Sequence, residues 1–399
     1  MSYDIGDPYP ERQNHLDDVM VTVRSFVGRP MSPTSNVVHY DLDAGVSVSG
    51  WSSVRVTAGI DRIPRSFELE MTERFPGAED VLISPGDYCE IRMGDSIVLT
   101  GYIDVVNPSI NANTHGIRVI GRGKCADIVD CSAQWPNSQI ANCSAFDIAK
   151  TLADVYGIPV QLAPAVDQLP RIPQMNIMLG ETAYQIIERV CRFSGLLVYE
   201  LADGTLYLSR ASSLSMDSGI QEGINLESAS VENSVANRFS EIQAVMMAVN
   251  NLEDLNAVNA PVFTATDPNV TRHRRRIIIA EAGQLGWDVS TQRALWEVAR
   301  RYGLSNVLHV TVDNWRDISG NLWEPNRLIS VLIPSMKVSG DESGIVPRQY
   351  LIVEVTFHRG LEGTHAELTL MPPEAFLPEP ILLQPANGDV ISANVGGGQ

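Results

Sequence analysis

Apolar and polar residues alternate at strand spacing through most of the first third of the chain. The alternating segments are separated by turn signals such as Ser-Pro-Gly-Asp and Asn-Pro; they are DVMVTVRSFVG, VSVSGWSSVRVTAG, RSFELEMTE, DYCEIRMGDSIVLTGYIDVV and THGIRVIGRG. Several short strands at this spacing are typical of a β-barrel or a β-sandwich. We therefore predict a first β-barrel over residues 17–126. The Pro- and Ser-rich segment 29–45 is longer than a tight hairpin needs, which favours a surface insertion.

The spacing of apolar residues then becomes helical. Ser144 stands three residues before Asp147, as in a capping box, and the apolar positions that follow repeat every three to four residues. A second segment with the same spacing leads into a hairpin whose turn is Asp203-Gly204. These patterns predict a small α+β domain over residues 127–215, with helices near 144–156 and 182–194.

Strand-like segments return in the last part of the chain. They are NVLHVTVDNW, RLISVLIP, QYLIVEVTFHRG and HAELTLMPP, and the amphipathic segment STQRALWEVARRYG precedes them. We predict a second β-barrel over residues 216–378 with a helix near 290–302. Residues 1–16 form a predicted N-terminal arm and residues 379–399 a C-terminal tail. The predicted fold class is α+β, mainly β: two β-barrel domains with a small α+β insert.

Size and charge narrow the class of protein. A chain of 399 residues is expected to form two to four domains at roughly 150 residues per domain. The formal charge is −19, with 29 Lys and Arg against 48 Asp and Glu. A surface that binds duplex DNA takes most of its affinity from Lys and Arg, so this composition argues against one. An acidic wall repels DNA, which suits a conduit for DNA and suits most other soluble proteins equally well.

No sequence pattern predicts a membrane segment or an export signal. The first residues lack a basic region followed by an apolar run, and no apolar run approaches the roughly 20 residues that span a bilayer. We expect the protein to fold in the cytosol.

No enzyme motif is complete. There is no G-x-S-x-G elbow and no HExxH, and the seven histidines are scattered. The segment GRGKC has Cys125 at the position where a phosphate-binding loop needs a magnesium-binding hydroxyl. Five cysteines without CxxC or CxxH spacing favour buried reduced thiols over disulfides or zinc. We expect no catalytic residues, no cofactor and no metal, and therefore no enzyme.

Two groups of residues are candidates for an interface. Trp315 and Trp323 flank a Ser-Gly-Asn turn, where aromatic side chains favour either the core of the chain or a partner. Arg274, Arg275 and Arg276 belong to RHRRR, the one basic cluster in the sequence. In so acidic a chain this cluster favours a solvated strand end or a patch that pairs with an acidic neighbouring subunit.

The order of these segments resembles the phage tail baseplate hub proteins of the Mu gpP type, a family of contractile tails. In the first half, the resemblance depends on SGWSSVRVTAGIDRIPRSFELEMTE, ISPGDYCEIRMGDSIVLTGYIDVVNPSI and HGIRVIGRGKCADIVDCSA. In the last quarter, it depends on ALWEVARRYGLSNVLHVTVDNWRDISGNLWEPNRLISVLIP and YLIVEVTFHRGLEGTHAELTLMPPEAF. The sequence departs from the family pattern at 29–45 and 251–271, which we interpret as longer loops.

The resemblance implies a homotrimer in which each chain supplies two barrels to a ring. Such a ring adapts the six-fold tail tube, or a tube-adaptor protein, to a three-fold central spike, and DNA passes through its lumen. Wedge proteins are further expected contacts, and the protein is expected in the virion after assembly in the host cytoplasm. A receptor- or carbohydrate-binding tail protein with exposed tryptophans is the alternative. A tail hydrolase ranks last, because its residues are missing.

Overall fold

The structure, a computed structural model, describes residues 19–24, 46–72, 83–111, 115–166, 169–246, 262–280, 286–341 and 343–376. The predicted arm 1–16, the predicted insertion 29–45 and the predicted tail 379–399 lie outside these ranges. The same is true of the first part of the predicted loop 251–271.

The first third of the chain folds into seven antiparallel strands. Their buried residues alternate with exposed ones, as in β5 and β7, so one face of the sheet is apolar and the other polar. The strands are β1 (Val19–Arg24), β2 (Val46–Val48), β3 (Ser53–Gly59), β4 (Ser66–Thr72), β5 (Tyr88–Met93), β6 (Ser96–Ile110) and β7 (His115–Gly123).

The α+β part follows directly. The helices α2 and α3 lie within the ranges in which the sequence predicts helices, and α2 begins with the predicted capping box between Ser144 and Asp147. Its elements are α1 (Ala126–Asp130), β8 (Gln139–Ser144), α2 (Ala145–Asp154), β9 (Val160–Leu162), β10 (Arg171–Asn176), α3 (Ala183–Phe193), β11 (Leu197–Glu200) and β12 (Leu206–Ser209). A second core fills the space between α2, α3 and the β9–β12 strands.

The last part of the chain contains two groups of strands and one long helix. A small sheet in the order β16-β15-β17 packs against α4, and the remaining strands extend the large sheet. The elements are β13 (Ile220–Gln221), β14 (Leu226–Asn233), β15 (Glu241–Met246), β16 (Val262–Thr266), β17 (Arg275–Ala280), α4 (Gly286–Leu304), β18 (Asn306–Val312), β19 (Leu328–Leu332), β20 (Arg348–Gly360) and β21 (Gly363–Met371).

The interpretation of 251–271 as a loop is wrong for its second half. Residues Val262–Thr266 form β16, which pairs with β15 from Glu241 opposite Thr266 to Val245 opposite Val262. The segment VFTAT is a short alternating strand whose Ala265 side chain is buried. The polar residues around it make the whole segment resemble a loop in the sequence.

One sheet of 13 strands joins the two predicted barrels. Its main path is β14-β18-β21-β20-β3-β4-β7-β6-β5-β1-β2; off this path, β19 pairs with β20 and β13 pairs with β19. The junction is the antiparallel pair of β3 and β20, which runs from Gly59 opposite Glu354 to Val54 opposite Arg359. A single apolar core lies against both halves of this sheet, with Leu69 from one half and Leu368 from the other. The mainly β, α+β fold class is confirmed.

Among the residues that the structure describes, no helix combines the length and apolar composition needed to cross a bilayer.

Candidate partner interface and the junctions that support it

The two candidate tryptophans lie inside the chain's own core. Trp315 is 0% exposed and Trp323 is 2% exposed. The Trp315 Nε1–H donates to the carbonyl oxygens of His358 at 2.8 Å and His365 at 3.0 Å, and its ring meets Phe357 edge-on. Both rings are held by contacts within the chain, and a role for them at a partner interface stays a prediction. Of the alternatives, packing against their own chain is observed.

The turn between these tryptophans connects the two halves of the large sheet. Its backbone closes between Asp317 and Asn321, with Gly320 at φ +85°. The Arg316 guanidinium donates to the carbonyl of Gly320 and also reaches across to the carbonyl of Met93 at 2.9 Å. The turn is thus held by residues far away in sequence and has a structural role.

Two of the three candidate arginines, Arg275 and Arg276, begin β17 of the small β16-β15-β17 sheet, and Arg274 directly precedes this strand. Arg274 donates to the carbonyl oxygens of Val235 at 2.6 Å and Ala236 at 2.8 Å. Arg275 forms an ion pair with Glu241 at 2.9 Å. Arg276 is exposed.

Aromatic contacts hold this basic cluster in place. The guanidinium carbons of Arg274 and Arg276 lie 5.0 and 5.4 Å from the centre of the Phe239 ring, and that of Arg301 from α4 lies 5.1 Å from it. A guanidinium over an aromatic face is attracted by the ring's quadrupole. The cluster therefore presents positive charge in a fixed geometry, and its role at an interface stays a prediction.

A buried ion pair stabilises the small β16-β15-β17 sheet and its contact with α4. Arg238 and Asp267 are 8% and 6% exposed, and the guanidinium donates to both carboxylate oxygens at 2.8 Å. Arg238 also lies 5.1 Å from the ring centre of Tyr302, which belongs to α4. The pair fixes the start of β15 against the turn after β16 and the end of α4.

A second polar junction, which the sequence did not predict, joins the α+β part to the first strands. Glu200, at the end of β11, is 1% exposed, and its carboxylate accepts the backbone N–H of Arg65 at 2.8 Å and of Cys125 at 2.9 Å. The Arg65 guanidinium donates to the carbonyls of Glu200 and Val98. Burial raises the pKa of Glu200, and the N–H groups of Cys125 and Arg65 oppose that rise.

Asn326 forms a third junction, in a left-handed backbone conformation at φ 63°. Its side-chain amide donates to the Tyr199 hydroxyl at 3.1 Å and to the Arg210 carbonyl at 3.0 Å, and its oxygen accepts the N–H of Ser212 at 2.9 Å. The Asn326 N–H donates to the carbonyl of Ile352 in β20. One residue thus ties the α+β part to the second half of the sheet.

A cleft of about 550 Å³ opens beside these junctions. Aromatic and charged side chains line it, including Tyr207, Trp323, Glu324 and Arg327.

In the part of the chain that the structure describes, no group of three or more His, Cys, Asp or Glu side chains is arranged to hold a metal ion. All five cysteines lie in that part and are free thiols, with Cys89, Cys125 and Cys191 buried.

Three family models match successive parts of the chain. The N-terminal model of the Mu phage baseplate assembly protein GpP-like family matches residues 42–123. The second-domain model of the baseplate hub protein gp44-like family matches residues 125–210, and the fourth-domain model of the Mu phage baseplate assembly protein GpP matches residues 287–379. The baseplate hub protein gp44 of Escherichia phage Mu is 32% identical over 350 residues, which cover 86% of this chain and 89% of that protein.

The chain belongs to the Mu baseplate hub protein family.

Solved structures of phage tail proteins share the hub family's fold. The 43 kDa tail protein of prophage MuSo2 from Shewanella oneidensis is 26% identical, with a TM-score of 0.73 over 90% of this chain and 99% of that one. The tail protein of Neisseria meningitidis MC58 is 21% identical, with a TM-score of 0.70 over 91% of this chain and 99% of that one. The resemblance seen in the sequence is confirmed, and the relatives support a structural role in the baseplate hub.

Proposed function

We propose that this protein is the structural baseplate hub of a contractile phage tail, and that it acts as a homotrimeric ring. The observation that carries the proposal is the relationship to the Mu hub protein gp44 along 86% of the chain. The protein is a component of the virion tail. It works through shape and contacts rather than through catalysis.

The ring adapts the six-fold tail tube, or a tube adaptor, to a three-fold central spike. Two groups of strands per chain support this, because three chains then supply six similar units around one axis. The two groups are held together by the β3–β20 pair. Wedge proteins are further contacts at the outer surface.

The polar face of the large sheet suits a wall past which DNA moves. Two of its arginines are paired with carboxylates: Arg118 with Glu68 at 2.5 Å, and Arg122 with Asp104 at 2.6 Å and with Asp130 of α1 at 2.8 Å. Paired arginines have less free charge for phosphate, and the chain as a whole is acidic at −19. DNA in transit therefore meets little that would retain it.

The test is the mass and symmetry of the purified full-length protein. Light scattering after size exclusion should give a trimer, and class averages from electron microscopy should show three-fold symmetry with six lobes. The trimer should bind purified spike protein from the same phage. A protein that remains monomeric at micromolar concentration and binds neither spike nor tube would refute the proposal.

The receptor- or carbohydrate-binding alternative loses the observation that motivated it. Sugar binding needs an accessible aromatic face, and Trp315 and Trp323 are both buried.

A further inference from the structure

Two strand edges of opposite charge are open in the part of the chain that the structure describes. Among the described residues, β17 pairs only with β15, and β14 pairs only with β18. An open edge presents unpaired N–H and C=O groups, which other strands can bind, and proteins often place charge there to prevent it. Each of these two edges repels a copy of itself, and the two attract each other.

The basic edge, which we call the Arg edge, consists of Arg272–Arg276 and β17. Arg272 and Arg276 are exposed, and neither these two nor Arg274 has a carboxylate partner within the described ranges. Phe239 holds two of these guanidinium groups in place, as described above. Ile277, the next residue, is 61% exposed. Fixed unpaired charge beside an exposed β-branched residue on an open edge is typical of a binding surface.

The acidic edge, which we call the Glu edge, is β14 with its sequence LESASVEN. Glu227 and Glu232 are exposed, and within the described ranges neither forms an ion pair. Ala229 and Val231 pack against the core of the large sheet, which keeps the strand in place. The Glu edge is therefore a rigid strand with free acceptors and unpaired negative charge.

We infer that, in the proposed homotrimer, the Arg edge of one copy binds the Glu edge of the next copy. The inference rests on the proposed function, since it assigns the two faces that close the ring. A head-to-tail contact between two different faces generates a closed ring, whereas a face that binds itself gives a two-fold dimer. The overall charge of −19 makes copies repel, so a local unpaired basic surface is where an acidic neighbour is attracted.

The test combines charge reversal with charge exchange in the full-length protein. One variant carries Arg272→Glu and Arg276→Glu, a second carries Glu227→Lys and Glu232→Lys, and a third carries all four changes. Arg210→Glu, at another exposed arginine, is the matched control. Sedimentation equilibrium measures assembly at low and high salt, and circular dichroism checks that each variant is folded.

We expect each reversed variant to need at least about a hundredfold more protein for half-assembly, because like charges at a contact cost several kcal/mol. The fourfold variant restores the opposite-sign contact with the same net charge and should assemble like the wild type. The control should also match the wild type. Reversed variants that stay trimeric, or a folded fourfold variant that stays monomeric, would overturn the edge assignment alone. A monomeric wild type would instead refute the homotrimer, and with it this contact.

Discussion

We predict that the Glu200 junction depends on the absence of a side chain at Gly123, the last residue of β7. A Cβ added at Gly123 would lie 2.1 Å from Glu200 Oε2 and 2.4 Å from its Cδ, so Gly123→Ala must displace the buried carboxylate. The carboxylate would lose the backbone N–H groups of Arg65 and Cys125. Hydrogen bonds to a charged group contribute about 1.5–3 kcal/mol each. Replacing Gly by Ala in a strand returns about 0.5–1 kcal/mol, so the expected loss of unfolding free energy is about 2–5 kcal/mol.

Urea denaturation followed by tryptophan fluorescence and circular dichroism measures this loss. Gly116→Ala on the same strand is the control, because its added Cβ would meet only the Met71 carbonyl, at 3.3 Å, and should change stability by less than about 1 kcal/mol. In a Glu200→Ala background the carboxylate is already gone, so Gly123→Ala should then cost less than about 1 kcal/mol. Equal effects of Gly123→Ala and Gly116→Ala, or full additivity with Glu200→Ala, would refute the reasoning.

Three further predictions concern the second half of the chain. Trp315→Phe removes a fully buried N–H donor and should lower the free energy of unfolding by about 1–3 kcal/mol, whereas Trp135→Phe, at a partly exposed site, should cost less in the same urea titration. Arg238→Met leaves Asp267 buried and unpaired and should cost about 3–5 kcal/mol, and adding Asp267→Leu should recover most of it; a larger loss in the double variant would contradict the assignment. Burial lowers the pKa of His358; Glu367, whose carboxylate lies 3.2 Å from the ring, opposes this shift without cancelling it, and Arg55 and His365 add to it. The folded state therefore binds this proton less readily than the unfolded state, and stability is lost as pH falls below about 6.5; His358→Gln should lose less stability than the wild type between about pH 7.5 and 5.5.

The sequence predicts the elements better than their connections. The spacing of apolar residues and the capping residues were sufficient to predict the positions of α2 and α3. The long helix α4 begins only a few residues before its predicted start. The strand β16 was missed because it is short and lies between polar residues.

Burial and junctions depend on distant residues, which a sequence pattern does not reveal. Trp315 is buried because β20 and β21 cover it. The carbonyls that accept its N–H belong to His358 and His365, which lie 43 and 50 residues further along the chain. Glu200 and Asn326 are single polar residues whose partners lie far away in sequence: Arg65 and Cys125 are 135 and 75 positions from Glu200, and Arg210 is 116 positions from Asn326. For Glu200, the sequence contains one indication of a buried polar role: this glutamate ends the apolar strand segment LLVYE.

The β3–β20 pair has a mechanical consequence for the proposed ring. The two strands are antiparallel and hydrogen-bonded over six residue pairs, and the buried hydroxyls of Thr57 and Thr356 meet at 3.1 Å beside them. A pull along these strands loads the whole ladder in shear instead of opening it bond by bond. Within the described residues, this ladder and the shared apolar core hold the two halves of the sheet together as one piece. Any widening of the proposed ring would then take place at the boundaries between subunits.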